Sequence, residues 1–431
     1  MPNVVITTDL TATVRRTNNA VDELAINVTG TGSVVAPGTG IRGLGGAVTV
    51  TVEGSVEGRR AVGVHLGADR GGDVSNALYV RAGGEVAGAT AVRFDSYGTS
   101  VLNLGTIAGT ATGILLGGVD ADEISTIMNR GAIEGGGAAI RIAAGTTEGV
   151  TIENLAGATI RETGTGRDAI VSDASTGLGL VVRNAGTIQG NVQMGGTADL
   201  YQNLGGTVAG TVFGRGGRDV FEPGRGAERI DGGAGFDRID FGDGGGVRVT
   251  LGGAVASNAG AARGDTYLRV EAVTGSFFGR DVLTGSRAGN LLDGQGGRDV
   301  LSGGRGADQL VGGAGRDALT GGRGNDAFVF ASAAQGRDTI TDFGRGPGND
   351  DRFRFDDAGF GGGLDTGALD ASQFRRSAAA NTGADADDRF VFRTGDTTLW
   401  FDRDGAGGAG PVQIANLQAG AVVTAADIFI F

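Results

Sequence analysis

The sequence predicts an all-β chain: a parallel β-helix (β-solenoid), followed by a parallel β-roll of shorter period and a small β-rich C-terminal cap. Three observations carry this. Glycine supplies 88 of 431 residues, about three times its usual share, with no Gly-X-Y period. Aromatic residues are only 6% and the apolar fraction is mostly Ala, Val, Ile and Leu, so any core is narrow, as in stacked coils. Two repeat systems of different period also follow one another along the chain.

The first system occupies residues 1–213. It repeats around apolar-x-Asn-x-Gly-(Thr/Ala)-apolar-x-Gly, as in "VLNLGTIAG" and "IMNRGAIEG", with asparagines at 103, 129, 154, 184 and 203. The inward apolar position after each turn traces as Val56, Val86, Ile107, Ile133, Ile160, Ile188 and Val208, one per coil. A second short strand recurs as "AVGVHL", "AVRFDS", "GILLGG" and "AIRIAA" with period-two alternation. A coil of two or three such strands cannot bury its own apolar face, so neighbouring coils must stack about 4.8 Å apart. The asparagines then form a ladder at a tight turn, each amide bonding the next.

The second system occupies residues 214–345. Three nine-residue units fill 214–240, with acids at Asp219, Glu228 and Asp237. The register lapses over a spacer, 241–275, then resumes for six units over 276–329. The sixth positions there are Asp281, Asn290, Asp299, Asp308, Asp317 and Asp326, and the eighth positions are five leucines and Phe328. Six glycine-rich residues make a turn with converging carbonyls. Three remain for a strand whose middle residue points inward.

Two units complete a coil, so residues 18 apart stack. Asp281, Asp299 and Asp317 form one ladder, and Asn290, Asp308 and Asp326 the other. Carboxylates about 5 Å apart repel by ~1 kcal/mol in water and several times more when partly buried, so a cation must lie between them. Calcium fits, because it takes six to eight oxygens, backbone carbonyls included, in irregular geometry. The pattern G-G-x-G-x-D-x-U-x is an established calcium-binding β-helix repeat. With no cysteine and one histidine, zinc and copper sites are implausible.

On these nonapeptides, residues 214–431 resemble the RTX family of secreted bacterial proteins. The resemblance implies that "GRDTITDF", with Asp338 and Asp342, closes the roll and places an acid at its last calcium layer. The tail 346–431 is similar to the family's C-terminal end. Its final Asp427-Ile428-Phe429-Ile430-Phe431 matches an uncleaved type I secretion signal, which implies the type I secretion machinery as a partner. Export then precedes folding, and calcium outside a Gram-negative cell closes the roll. The N-terminal half resembles β-helical passenger repeats of bacterial surface proteins.

Other classes are disfavoured. The N-terminus lacks a Sec-type signal and no run is apolar enough to span a membrane. The net charge is −13 and every cation is an arginine, with no basic stripe for nucleic acid. His-Glu-x-x-His and Gly-x-Ser-x-Gly are absent. The enzymatic alternative is a β-helix polysaccharide lyase or epimerase, with His65, Tyr79, Arg81, Arg93, Asp95 and Tyr97 as its candidates. The preferred reading is non-catalytic: a secreted structural, adhesive or self-assembling component at the cell surface, with itself or a surface polysaccharide as partner.

Overall fold

The computed structural model describes residues 3–6, 10, 14–17, 24–44, 47–67, 76–96, 98–117, 124–146, 149–174, 177–242, 244–252, 258–346, 348–408 and 410–431. It is all-β, with mostly parallel strands joined by turns and a few 3-10 turns, and with antiparallel pairs among the strands from Gly367 to Ile430. The chain divides into two compact units, Met1–Asp237 and Arg238–Phe431.

The first unit is a parallel β-helix with three strand-bearing faces. On one, Val34, Val56, Val86, Ile107, Ile133, Ile160, Ile188 and Val208 pair in register from coil to coil. On the second, Ile41, Val64, Val92, Ile114, Ile140, Ile170, Val192, Val212 and Ile230 do so. On the third the row is Ile26, Val50, Leu78, Val101, Ile127, Ile152, Val182, Tyr201 and Phe221. β-Branched residues dominate because they suit a pleated surface packed on both neighbours. These rows are buried except at Val208, which is half-buried. The coil after it has a glycine-rich turn between Val220–Glu222 and Arg229–Asp231 in place of a third strand.

Beside the third row runs the asparagine ladder. Asn103 donates from Nδ2 to Oδ1 of Asn129 at 2.9 Å, Asn129 to Asn154 at 3.0 Å and Asn154 to Asn184 at 2.9 Å. Each of these three amides also donates to a backbone carbonyl of the next coil. A buried polar row is tolerated only when paired in this way.

In the second unit the roll's two faces carry single inward residues. Val249, Leu283, Leu301, Leu319, Ile340 and Leu417 pair along one. Ile239, Val273, Leu292, Leu310, Phe328, Phe353 and Ile428 pair along the other. The spacer therefore does not interrupt the stack, since Arg248–Thr250 and Ala272–Thr274 supply its strands. The C-terminal strand Ile428–Ile430 joins the roll parallel to Arg352–Phe355. Phenylalanines close this end: Phe353 and Phe355 stack at 6.0 Å, and Phe390 packs against Phe355 at 4.7 Å.

Candidate metal centre

One local rule places the acidic side chains: an acid stands two residues ahead of an inward residue. Asp281, Asp299 and Asp317 precede Leu283, Leu301 and Leu319, and Asp308 and Asp326 precede Leu310 and Phe328. All five aspartates are buried, 0 to 2% exposed.

Each carboxylate is oriented by the coil before it. The Asp281 N–H donates to Oδ1 of Asp299 at 2.8 Å, Asp299 to Asp317 at 2.8 Å and Asp317 to Asp338 at 2.9 Å. On the other side Asn290 donates to Asp308 at 2.7 Å, and Asp308 to Asp326 at 2.8 Å. These are the two ladders with the 18-residue step, which lengthens to 21 residues at Asp338.

The other carboxylate oxygen sets the N-terminal margins of the two ladders apart from the positions that follow. Oδ2 of Asp299, Asp308, Asp317, Asp326 and Asp338 is buried without a hydrogen-bond partner. Such an atom costs about 1–3 kcal/mol, more when charged. At the margins the protein satisfies it. Asp281 Oδ2 accepts from the Ser276 N–H at 2.7 Å. Asn290 Oδ1 accepts from the Ser286 N–H at 2.7 Å, and its Nδ2 donates to the Glu271 carbonyl. Asp342 accepts at both oxygens, from the N–H groups of Gly321 and Gly322.

The glycines that open the units are fixed by the same atoms. A Cβ on Gly294, Gly303, Gly312 or Gly321 would fall on the carboxylate of Asp299, Asp308, Asp317 or Asp326, five residues on. Gly297 lies at φ +138°, and a Cβ there would meet the Gly279 carbonyl of the preceding coil, so side-chain-bearing residues are excluded. A Cβ on Gly294 or Gly303 would also meet the carbonyl of Gly312 or Gly321, so at these two turns a backbone oxygen and an orphaned carboxylate oxygen border one small space. Among the described residues no three acidic or imidazole side chains share one metal-sized site. A cation on these ladders therefore draws most of its oxygens from the backbone, a donor set that suits calcium.

Burial pushes Asp299 and Asp308 up to about 7 and Asp338 to about 8; the backbone hydrogen bonds oppose the rise, and neighbouring aspartates add to it. Burial also raises Asp281, Asp317 and Asp326.

The first unit repeats the arrangement at its C-terminal end. The Leu180 N–H donates to Asp199 Oδ1 at 2.7 Å, Asp199 to Asp219 at 2.9 Å and Asp219 to Asp237 at 2.9 Å. Burial raises Asp199 and Asp219 to about 7, and Oδ2 of each has no hydrogen-bond partner. Glu228 sits differently: the asparagine bonds stop at Asn184, Asn203 Oδ1 has no hydrogen-bond partner, and Glu228 accepts from Asn203 Nδ2, from the Tyr201 hydroxyl at 3.1 Å and from the Gly224 N–H at 3.0 Å.

Asp199 and Asp351 belong to the ladders but were not among the sequence candidates. Asp351 accepts from the Asp326 N–H at 3.0 Å and from the Gly344 N–H at 2.7 Å, closing the second ladder. Both precede an inward aromatic by two residues, Tyr201 and Phe353, and that spacing could have found them.

Of the enzymatic candidates, three meet. His65 Nε2 lies 2.8 Å from Asp95 Oδ2, and Arg93 Nε donates to both Asp95 oxygens at 2.9 Å. Burial opposes ionisation of Asp95, but the hydrogen bonds from His65 and Arg93 prevail and hold it below the usual carboxylate range. Tyr79 and Arg81 lie on or beside the strand Ala77–Val80, on another face of the helix. Tyr97 falls outside the described residues.

The RTX calcium-binding nonapeptide repeat model matches the chain in four copies, at residues 204–239, 223–245, 277–310 and 293–328. The chain thus carries calcium-binding RTX repeats. No curated protein matches it. Among solved structures, the solution structure of the AlgE6R3 subunit from the Azotobacter vinelandii mannuronan C5-epimerase is 27% identical over 34% of this chain and 76% of that one, with a TM-score of 0.22.

Proposed function

We propose that the protein is a secreted β-solenoid, closed by calcium outside the cell, that serves as a structural or adhesive surface component. Asp299, Asp308, Asp317, Asp326 and Asp338 are the ligands we assign in the roll, with Asp199, Asp219 and Asp237 in the first unit; Asp281, Asn290 and Asp351 are margin positions. The observation that carries the reading is the double row of buried carboxylates in the roll: Asp299, Asp308, Asp317, Asp326 and Asp338 each have Oδ1 tied to a backbone N–H and Oδ2 without a hydrogen-bond partner. A cation there neutralises charge that the protein leaves uncompensated.

The structural role draws on the parallel stacks. A solenoid with open-ended strands pairs end to end unless capped, and the phenylalanine cluster covers the C-terminal end of the second unit. Electron microscopy of the purified protein is expected to show ordered assemblies in millimolar calcium and none in chelator. Monodisperse single particles in both conditions would remove assembly from the proposal.

Export is assigned to the tail. Ile428 and Ile430 are buried in the roll, whereas Phe429 and Phe431 are 37% and 43% exposed. Phe429→Ser with Phe431→Ser therefore spares the fold, and is expected to leave protein in the cytoplasm of a host carrying a type I exporter. Undiminished export of this variant would reject the tail as the signal.

The His65, Asp95 and Arg93 group favours a second reading, a polysaccharide lyase or epimerase. It brings a base, an orienting carboxylate and a cation together on one face of the helix.

A further inference from the structure

The nonapeptide turns carry a second row of charge that calcium does not explain. Arg280, Arg298 and Arg316 each precede a ladder aspartate by one residue, and Arg337 stands in the same place before Asp338. The strands that follow pair in register, Val282 with Val300, Val300 with Ala318 and Ala318 with Thr339. The four arginines are therefore set one coil apart, about 4.8 Å per step. All four are exposed, and among the described residues no acid forms an ion pair with any of them.

They line one groove of about 620 Å³, which Trp400 and Gln413 of the C-terminal cap also line. Trp400 is held in place. Its Nε1 donates to Thr398 Oγ1 at 2.8 Å, and the Arg393 guanidinium covers its ring at 5.4 Å. It is the only tryptophan in the chain.

We infer that this groove binds an acidic polysaccharide, a uronic-acid polymer laid along the arginine row with a sugar ring against Trp400. The planar guanidinium fork matches a carboxylate in two-point contact. Four cations at one-coil intervals suit a chain whose charge recurs at a similar step, as in a 1,4-linked uronate, better than a single small anion. An indole offers the apolar face of a sugar a flat platform. Nucleic acid is disfavoured by the net charge of −13. Asp299 and Asp317 also line the groove. The inference thus rests on the calcium reading, because bound calcium cancels their charge and leaves the arginines to set the potential.

The test is calorimetric titration of the full-length, calcium-loaded protein with short oligogalacturonates, too short to gel with calcium. Binding that weakens with salt is expected. Arg298→Ala with Arg316→Ala should weaken it about tenfold or more, and Trp400→Ala should weaken it too. Arg305→Ala with Arg323→Ala, on an exposed pair elsewhere on the roll, should leave it unchanged. Circular dichroism in the same buffer separates failure of the roll to close from failure of the groove. The inference is overturned if the folded protein does not bind, if the Arg298/Arg316 variant binds as well as the parent, or if neutral maltooligosaccharides bind equally well. Tighter binding of a single-stranded oligonucleotide would assign the groove to phosphate polymers instead.

Discussion

Chelating calcium at pH 8 is expected to unfold the segment from 276 to 340 in the full-length protein, with loss of β-structure by circular dichroism. It should refold cooperatively as calcium rises through roughly 0.1 to 1 mM, the range of extracellular calcium modules. Each unit buries one inward residue, and that is too little to order so many glycines and hold a row of charged carboxylates without a cation.

The variants rank by which oxygen is left over. Asp299→Ala and Asp308→Ala remove orphaned oxygens from the ladder interiors and should raise the calcium midpoint severalfold. Asp281→Ala should raise it less, because Ser276 already occupies the Asp281 Oδ2.

Acid is expected to replace calcium in part. Asp299, Asp308 and Asp338 lie near 7 to 8 in the folded, metal-free state, above about 3.9 for an unfolded aspartate. The folded state therefore holds more protons. That stabilisation is complete below about pH 4 and is lost as the pH rises through 7 to 8. Chelated protein should keep more β-structure at pH 5 than at pH 8, and more calcium should be needed at pH 6 than at pH 8, since protons compete for the same oxygens. Identical spectra in chelator and in calcium at pH 8 would refute the ligand assignment.

The all-β stacked architecture was legible because a solenoid writes its geometry into spacing. Ile107, Ile133, Ile160 and Ile188 recur once per coil and pair in that order. The third face was harder to see, because "VLN" and "IMN" read as lead-ins to the asparagine and not as strands in their own right. The acid rows were legible where the acid is the sixth residue of a glycine-rich turn. Asp351 escaped because its turn is longer, and Asp199 because Met194-Gly195-Gly196-Thr197-Ala198 departs from the glycine pattern, although the two-residue offset to Phe353 and Tyr201 is kept. The surroundings of Glu228 depend on where the asparagine ladder meets the acid row, and no spacing within one repeat encodes that. The groove beside Arg298 and Arg316 was not legible, since Trp400 and Gln413 reach it from strands about a hundred residues away.

Ile133→Asp is expected to destabilise the first unit by several kcal/mol, because it places an unpaired carboxylate where nothing can solvate it. Ile133 is 0% exposed and lies between Ile107 and Ile160 in the row. A coil buries its apolar face only against its neighbours, so the damage should reach both adjacent coils. Ile124→Asp supplies the contrast. Ile124 begins the strand Ile124–Asn129 in the same coil but is 60% exposed, and the same change there should cost less than about 0.5 kcal/mol. Denaturant titration in saturating calcium isolates the first unit's transition from closure of the roll. A loss at Ile133 no larger than that at Ile124 would mean that the inward and outward positions of this coil are exchanged, and the period-two register would then fail along the whole face.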